Sequence, residues 1–139
     1  MNPKWDKRFL DLADHISQWS KDPRTKVGAV IVDNRKRVVS HGYNGFPTGI
    51  EDLEDRYLDR ETKHKFVCHA ERNALDNAYR SVEGCTLYSP LKPCHECAKA
   101  IVQRGISRVV CYKPDREDTF NWDITDIIFR ESGVTLDEI

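Results

Sequence analysis

Three residues of this chain have the side-chain types and spacing of a zinc site, and a fourth stands beside them without being needed as a ligand. They lie in His69-Ala70-Glu71 and in Pro93-Cys94-His95-Glu96-Cys97. Zinc favours imidazole and thiolate donors in a tetrahedron; structural sites close all four positions with protein, and catalytic sites keep one for water. His69, Cys94 and Cys97 make three ligands. Glu71, two residues from the histidine, is then free to take a proton from that water and hand it on. Each half alone is a weak signal, since CxxC pairs also mark structural zinc and redox sites. The two halves in this order, with Pro93 ahead of the first cysteine, make a strong one.

Plainer readings compete. The CxxC pair could be half of a structural site closed by Cys68 or Cys85, which would leave Glu71 without a role. Cys68, Cys85 and Cys111 otherwise read as small buried apolar residues, and His64 and His95 as surface residues. A second zinc at His64 and Cys68 is a weaker alternative.

The elements must bring both halves together. Cys94 and Cys97 are three apart at the first turn of a helix over residues 94–103, where unpaired amides and the positive dipole end favour thiolate. His69 and Glu71 are about 200° apart on an ideal helix. They can serve one site only at the N-terminal end of a helix over 70–79. Two helix N-termini therefore converge, at the carboxyl edge of a sheet where α/β folds place their ligands.

Upstream, Trp5, Phe9, Leu12, Ile16 and Trp19 recur at steps of three and four, which predicts a helix over 3–20 with a buried stripe. Asn2 caps it and Pro3 suits its first position. Residues 27–32 and 37–41 read as strands of an antiparallel hairpin about the turn at 33–36. Residues 42–66 read mostly as loop, with room for a short helix around Leu53, Tyr57 and Leu58; a loop of that length is usually functional or disordered. Strands follow at 86–88 and 109–112, a helix at 120–130 and a last strand at 134–136. The order predicts a central sheet with helices on both faces. The strand–helix–strand connections after residue 84 make those strands parallel.

A chain of 139 residues suits one domain, residues 1–139, with 47–66 as an insertion. Lysine plus arginine number 22 against 23 aspartate plus glutamate, a balance that argues against a protein built to grip a nucleic-acid backbone. No apolar run has the length of a membrane span, and the first residues lack the apolar stretch of a signal peptide. Five cysteines, an odd number, suit a reducing compartment. The expectation is a cytoplasmic protein.

The pattern H-x-E…P-C-x-x-C is the signature of zinc deaminases of nucleobases. More narrowly, Cys68-His69-Ala70-Glu71-Arg72-Asn73-Ala74, Pro93-Cys94 with Cys97, Gly42-Tyr43-Asn44-Gly45-Phe46-Pro47 and Asp22-Pro23-Arg24-Thr25-Lys26-Val27-Gly28-Ala29 resemble the deoxycytidylate deaminase family. The likeness runs from about Trp19 to Tyr112. It implies a three-layer α/β/α fold of the cytidine-deaminase kind around a five-stranded mixed sheet, and an oligomer, often a hexamer. It implies deamination of dCMP to dUMP with Zn2+, and of dCTP to dUTP as an additional reaction. It places Asn44 on the sugar, Arg24 at the 5′-phosphate with Tyr112 and Lys113 behind it, and Ala70 and Ser89 among the substrate contacts. It also implies dCTP and dTTP as effectors at Gly42, Tyr43 and Gly45, with Mg2+ as an ion that would accompany such a nucleotide.

Three rivals remain. A polynucleotide deaminase, acting for example on tRNA adenosine, would share the zinc site but carry basic and aromatic residues around its mouth. Residues 47–66 instead hold six acidic residues against four lysines and arginines. A free-nucleoside deaminase would join its last two strands directly and antiparallel, whereas the helix expected at 120–130 makes that pair parallel. A non-catalytic zinc-stabilised binding module leaves Glu71 unexplained.

Overall fold

Asn2 opens α1 (Pro3–Ser17) in the computed structural model, which describes residues 2–115 and 122–139. Its side-chain oxygen accepts the Lys4 N–H at 3.1 Å, and Pro3 fills a first-turn position where no donor is needed. The helix stops three residues short of the expected Ser20. The Ser20 hydroxyl is drawn away instead, donating to the Asn44 carbonyl at 2.8 Å and accepting the Asp22 N–H at 3.2 Å. Trp19 consequently leaves the stripe. It is 50% exposed and meets His15, His41 and Tyr43 edge-on, so its expected core role is corrected.

The strands are β1 (Gly28–Val32), β2 (Val38–Tyr43), β3 (Thr86–Tyr88), β4 (Arg108–Cys111) and β5 (Thr135–Glu138), in the order β2-β1-β3-β4-β5. β1 runs antiparallel to both β2 and β3, and β3, β4 and β5 are mutually parallel. The sheet is thus mixed and five-stranded. The parallel β4–β5 pair is the arrangement that the expected helix between them requires.

α1 covers one face, where Phe9, Leu10, Ala13 and Ile16 pack on Val30, Val32, Tyr88 and Val110. The other face carries α4 (Ala70–Asn77), α5 (His95–Gln103) and α6 (Trp122–Ser132), with Ala74, Leu75, Ala98, Ile101 and Phe129 on Ala29, Ile31, Leu87 and Val109. Every residue of β1 is buried, as a strand with helices on both sides must be. Two glycines set how close those helices come. A Cβ on Gly28 would lie 2.0 Å from the Ala13 carbonyl oxygen of α1, and one on Gly42 would lie 2.4 Å from the Ala74 nitrogen of α4. The start of the helix expected at 120–130 falls at residues 120 and 121, outside the described residues.

The insertion is more ordered than a loop. It forms α2 (Glu54–Leu58) and α3 (Arg60–Phe66), and buries Tyr57 flat against Phe46 with ring centroids 4.0 Å apart. Across the molecule, Arg108 of β4 grips Asp6 of α1 with two guanidinium nitrogens, at 3.0 and 2.8 Å, and Asp137 of β5 with a third at 2.7 Å. No helix among the described residues is long and apolar enough to cross a membrane.

Candidate active site

β2, β3 and β4 end at the same edge of the sheet, and the chain that follows them builds the site. His69 is the residue before α4 and Cys94 the residue before α5. Both have extended backbones, φ −72 and ψ 155 for His69, φ −71 and ψ 170 for Cys94. Cys97 follows one turn into α5. The convergence of two helix N-termini expected from the sequence is what the fold contains.

His69 Nδ1 lies 3.6 Å from Cys94 Sγ and 3.3 Å from Cys97 Sγ, and the three donor atoms lie within 4.8 Å of one another. Bond lengths of ~2.3 Å to sulfur and ~2.0–2.1 Å to nitrogen, set at tetrahedral angles, would separate N and S by about 3.6 Å. The spacing fits zinc. Among the described residues no further histidine, cysteine or carboxylate joins this cluster, so neither Cys68 nor Cys85 closes it. The proton balance also suits a cation. The Cys97 thiol donates toward Cys94, which with the adjacent His69 holds the Cys94 thiol well below its usual range. The same contact, together with burial, drives the Cys97 thiol up. A dication would take the place of that shared proton. His69 is raised by the hydrogen bond to Cys94.

Glu71 sits in the first turn of α4, buried at 5% exposure, and lines a cavity of about 750 Å³ beside His69, Ala70 and Cys94. Burial raises its carboxyl above the ordinary glutamate value. The cavity volume is in the range of small-molecule sites.

The other expected contacts divide. Asn44, Arg24, Ala70, Tyr112 and Lys113 all line the cavity. Asn44 is already engaged: Oδ1 accepts the Val27 N–H at 2.8 Å, and Nδ2 donates to the Thr25 carbonyl at 2.9 Å and to Asp22 at 3.5 Å. Its first task is to pin the turn that carries Arg24. The Arg24 guanidinium donates to the Leu58 carbonyl, at 3.4 Å, and is exposed toward the cavity. Ser89 is fully buried, its hydroxyl has no hydrogen-bond partner among the described residues, and it is not part of the cavity wall. Gly42 is filled in by α4, so helix packing accounts for it. Tyr43 is half-exposed against Trp19, and Gly45 pairs with Cys68 through both backbone hydrogen bonds, 3.1 and 2.8 Å. None of these three lines the cavity.

Sequence reasoning missed the insertion's share of the wall. Arg60, Lys63, His64 and Val67 all face the cavity. Lys63 pairs with the buried Asp22 at 3.1 Å and so ties α3 to the turn before β1. The signal was there in outline, since basic residues at 60, 63 and 64 fall on one side of a helical turn, but a loop reading hid it.

The comparisons with known proteins agree with this geometry. The model for the cytidine and deoxycytidylate deaminase zinc-binding region matches residues 3–113. Deoxycytidylate deaminase of Homo sapiens is 39% identical over 141 residues, covering 96% of this chain and 78% of that protein. A protein described as an uncharacterized deaminase in the luxG 3′ region of Aliivibrio fischeri is 41% identical, covering 98% and 94%. The crystal structure of dCMP deaminase from the cyanophage S-TIM5 in complex with dCMP and dUMP superposes with a TM-score of 0.80 at 30% identity, covering 100% of this chain and 99% of that one. The zinc motifs lie inside the matched span, and the fold is that of the family's solved structures. The chain belongs to the cytidine and deoxycytidylate deaminase family.

Proposed function

We propose that this protein is a zinc-dependent enzyme that hydrolyses the amino group of dCMP, releasing dUMP and ammonia. The observation that carries this reading is a buried carboxyl, Glu71, on the wall of a nucleotide-sized cavity beside three zinc-competent donors and outside their cluster. His69, Cys94 and Cys97 hold the ion. When bound, zinc lowers the pKa of a coordinated water to ~7 and so supplies a nucleophile near neutral pH. Glu71 would move both protons of the water. It would take the first and give it to the pyrimidine ring nitrogen, then take the second from the hydroxyl added at the ring carbon and give it to the amine, which departs as ammonia while the carbonyl forms. A single carboxyl held at the cavity wall can work in both directions. The two relatives named as deoxycytidylate or dCMP deaminases support the choice of pyrimidine nucleotide.

Arg24, on a turn pinned by Asn44, receives the 5′-phosphate, with Tyr112 and Lys113 on the same wall. The backbone at Ala70 borders the ring. Asn44 can offer the sugar only what remains after its bonds to Val27 and Thr25. Ser89 acts from behind the wall rather than on substrate. The test is ammonia release from dCMP, dCTP, deoxycytidine and a cytosine-containing oligonucleotide. Turnover of dCMP well above the other three is expected. Preference for the nucleoside or the oligonucleotide would overturn the assignment while leaving the metal chemistry standing.

The family resemblance extends the proposal to residues 1–139 acting as one domain, a hexameric assembly and a cytoplasmic setting. It extends also to control by dCTP and dTTP, with Mg2+ accompanying the effector. Tyr43 and Gly45 are the residues of the Gly-Tyr-Asn-Gly turn left to meet such a ligand, because Gly42 is occupied by α4.

A further inference from the structure

Lys92 is a buried ammonium that the chemistry above leaves unused. Its side chain is only 3% exposed; Nζ lies 2.6 Å from Asp126 of α6 and 3.5 Å from Glu138 of β5. The neighbouring residue is held by the same helix. The Pro93 carbonyl accepts the buried Thr125 hydroxyl at 3.1 Å. Two adjacent residues of α6, Thr125 and Asp126, thus grip the two residues that lead into Cys94. Proline has a fixed φ and no N–H of its own, so the backbone ahead of the ligand has little freedom once those two points are set. α5 holds Cys94, the residue before the helix, through its carbonyl, which accepts the Ala98 N–H at 2.8 Å; its side chain makes no capping bond. An ammonium is costly to bury even when paired, and this one is buried two residues from a candidate ligand.

We propose that Lys92, together with Thr125, is a positioning residue that fixes Cys94 Sγ relative to His69 and Cys97, so that α6 governs how tightly the metal is held. This rests on the metal-site reading above. Lys92 acts through the backbone of Pro93 and needs no contact with the ion.

The experiment uses zinc-loaded protein challenged with excess chelator, with zinc release followed by a colorimetric indicator. Cobalt-substituted protein reports the geometry through its thiolate-to-metal absorption bands. Lys92→Met, Asp126→Asn and Thr125→Val should each release zinc roughly tenfold faster, in the range seen for groups that orient metal ligands, and should shift the cobalt bands. The double variant Lys92→Met with Asp126→Asn should be no faster than Lys92→Met alone, because Asp126→Asn breaks a contact that Lys92→Met already removes. Lys92→Arg should recover most of the wild-type rate. Arg108→Met breaks a largely buried ion pair away from the site; it should lower Tm while leaving release rate and spectrum unchanged. Should Lys92→Met fail to fold, Asp126→Asn decides, since that carboxylate is half-exposed. Wild-type release and an unchanged spectrum in Asp126→Asn, or equal acceleration by Arg108→Met, would overturn the proposal. Wild-type protein that takes up neither zinc nor cobalt would overturn the metal-site reading itself.

Discussion

Glu71 is buried at the edge of a donor cluster and has no lysine or arginine partner among the described residues. A carboxyl in that position is poorly suited to holding the fold together and well suited to moving protons. Glu71→Gln keeps the shape and removes the proton transfer. Turnover should drop by on the order of 10²–10⁴-fold, while metal analysis still finds about one zinc per chain. Loss of zinc along with activity would make Glu71 a ligand instead. This part of the site was legible in sequence because zinc chemistry restricts both residue type and spacing. Asn44 was legible only as a motif member. That its amide is spent on Val27 and Thr25 follows from where the chain turns back before β1, which a residue type cannot show. Lys92 was invisible for a related reason: its partners lie 34 and 46 residues away in sequence, on elements that meet only in the folded sheet.

Gly42 and Gly45 stand three residues apart in one motif and do different work. β2 lies against α4 so closely at Gly42 that an added Cβ meets backbone atoms at 2.4 and 2.7 Å, whereas at Gly45 the nearest atom is the Tyr57 hydroxyl at 3.9 Å. Gly42→Ala should therefore destabilise the protein by about 1–3 kcal/mol or more, as overpacking against atoms that cannot move does. Gly45→Ala should stay within about 1 kcal/mol of wild type. Chemical denaturation of both variants checks this; equal, small effects would return Gly42 to a ligand-binding role. The strands and the long helices followed from apolar periodicity, which is strong where both faces are covered. Two features did not follow. The end of α1 was set by Ser20 bonding to Asn44, 24 residues away. The two helices of the insertion are short, charged and stabilised by contacts outside themselves, such as Lys63 on Asp22 and Tyr57 on Phe46.

Three aspartates link the elements of the whole molecule, and all are held below the ordinary value of 3.8. The Arg108 hydrogen bonds lower Asp6. Burial works against Asp22, but the Arg24 and Thr25 N–H groups and Lys63 outweigh it. The Arg37 N–H leads in bringing Asp33 down to about 2. A carboxyl depressed in the folded state contributes stability that is complete above its unfolded pKa and is lost as pH falls through the folded one. Resistance to urea should hold from neutral pH to about 5, then fall as the pH drops from about 4 toward 2. A flat profile across that window would mean these contacts add nothing. At this scale the sequence was informative about class, since near-neutral charge and an acidic insertion pointed to a small substrate, and silent about the Asp6–Arg108–Asp137 linkage that ties α1 to the far strands. The most direct test of the account is a single preparation assayed on dCMP as isolated, after removal of metal, and after return of zinc. It should form dUMP and ammonia in equal amounts, lose that activity with the metal and regain it with zinc alone. Turnover that survives complete metal removal, or reloaded protein that binds zinc yet leaves dCMP unchanged, would contradict it.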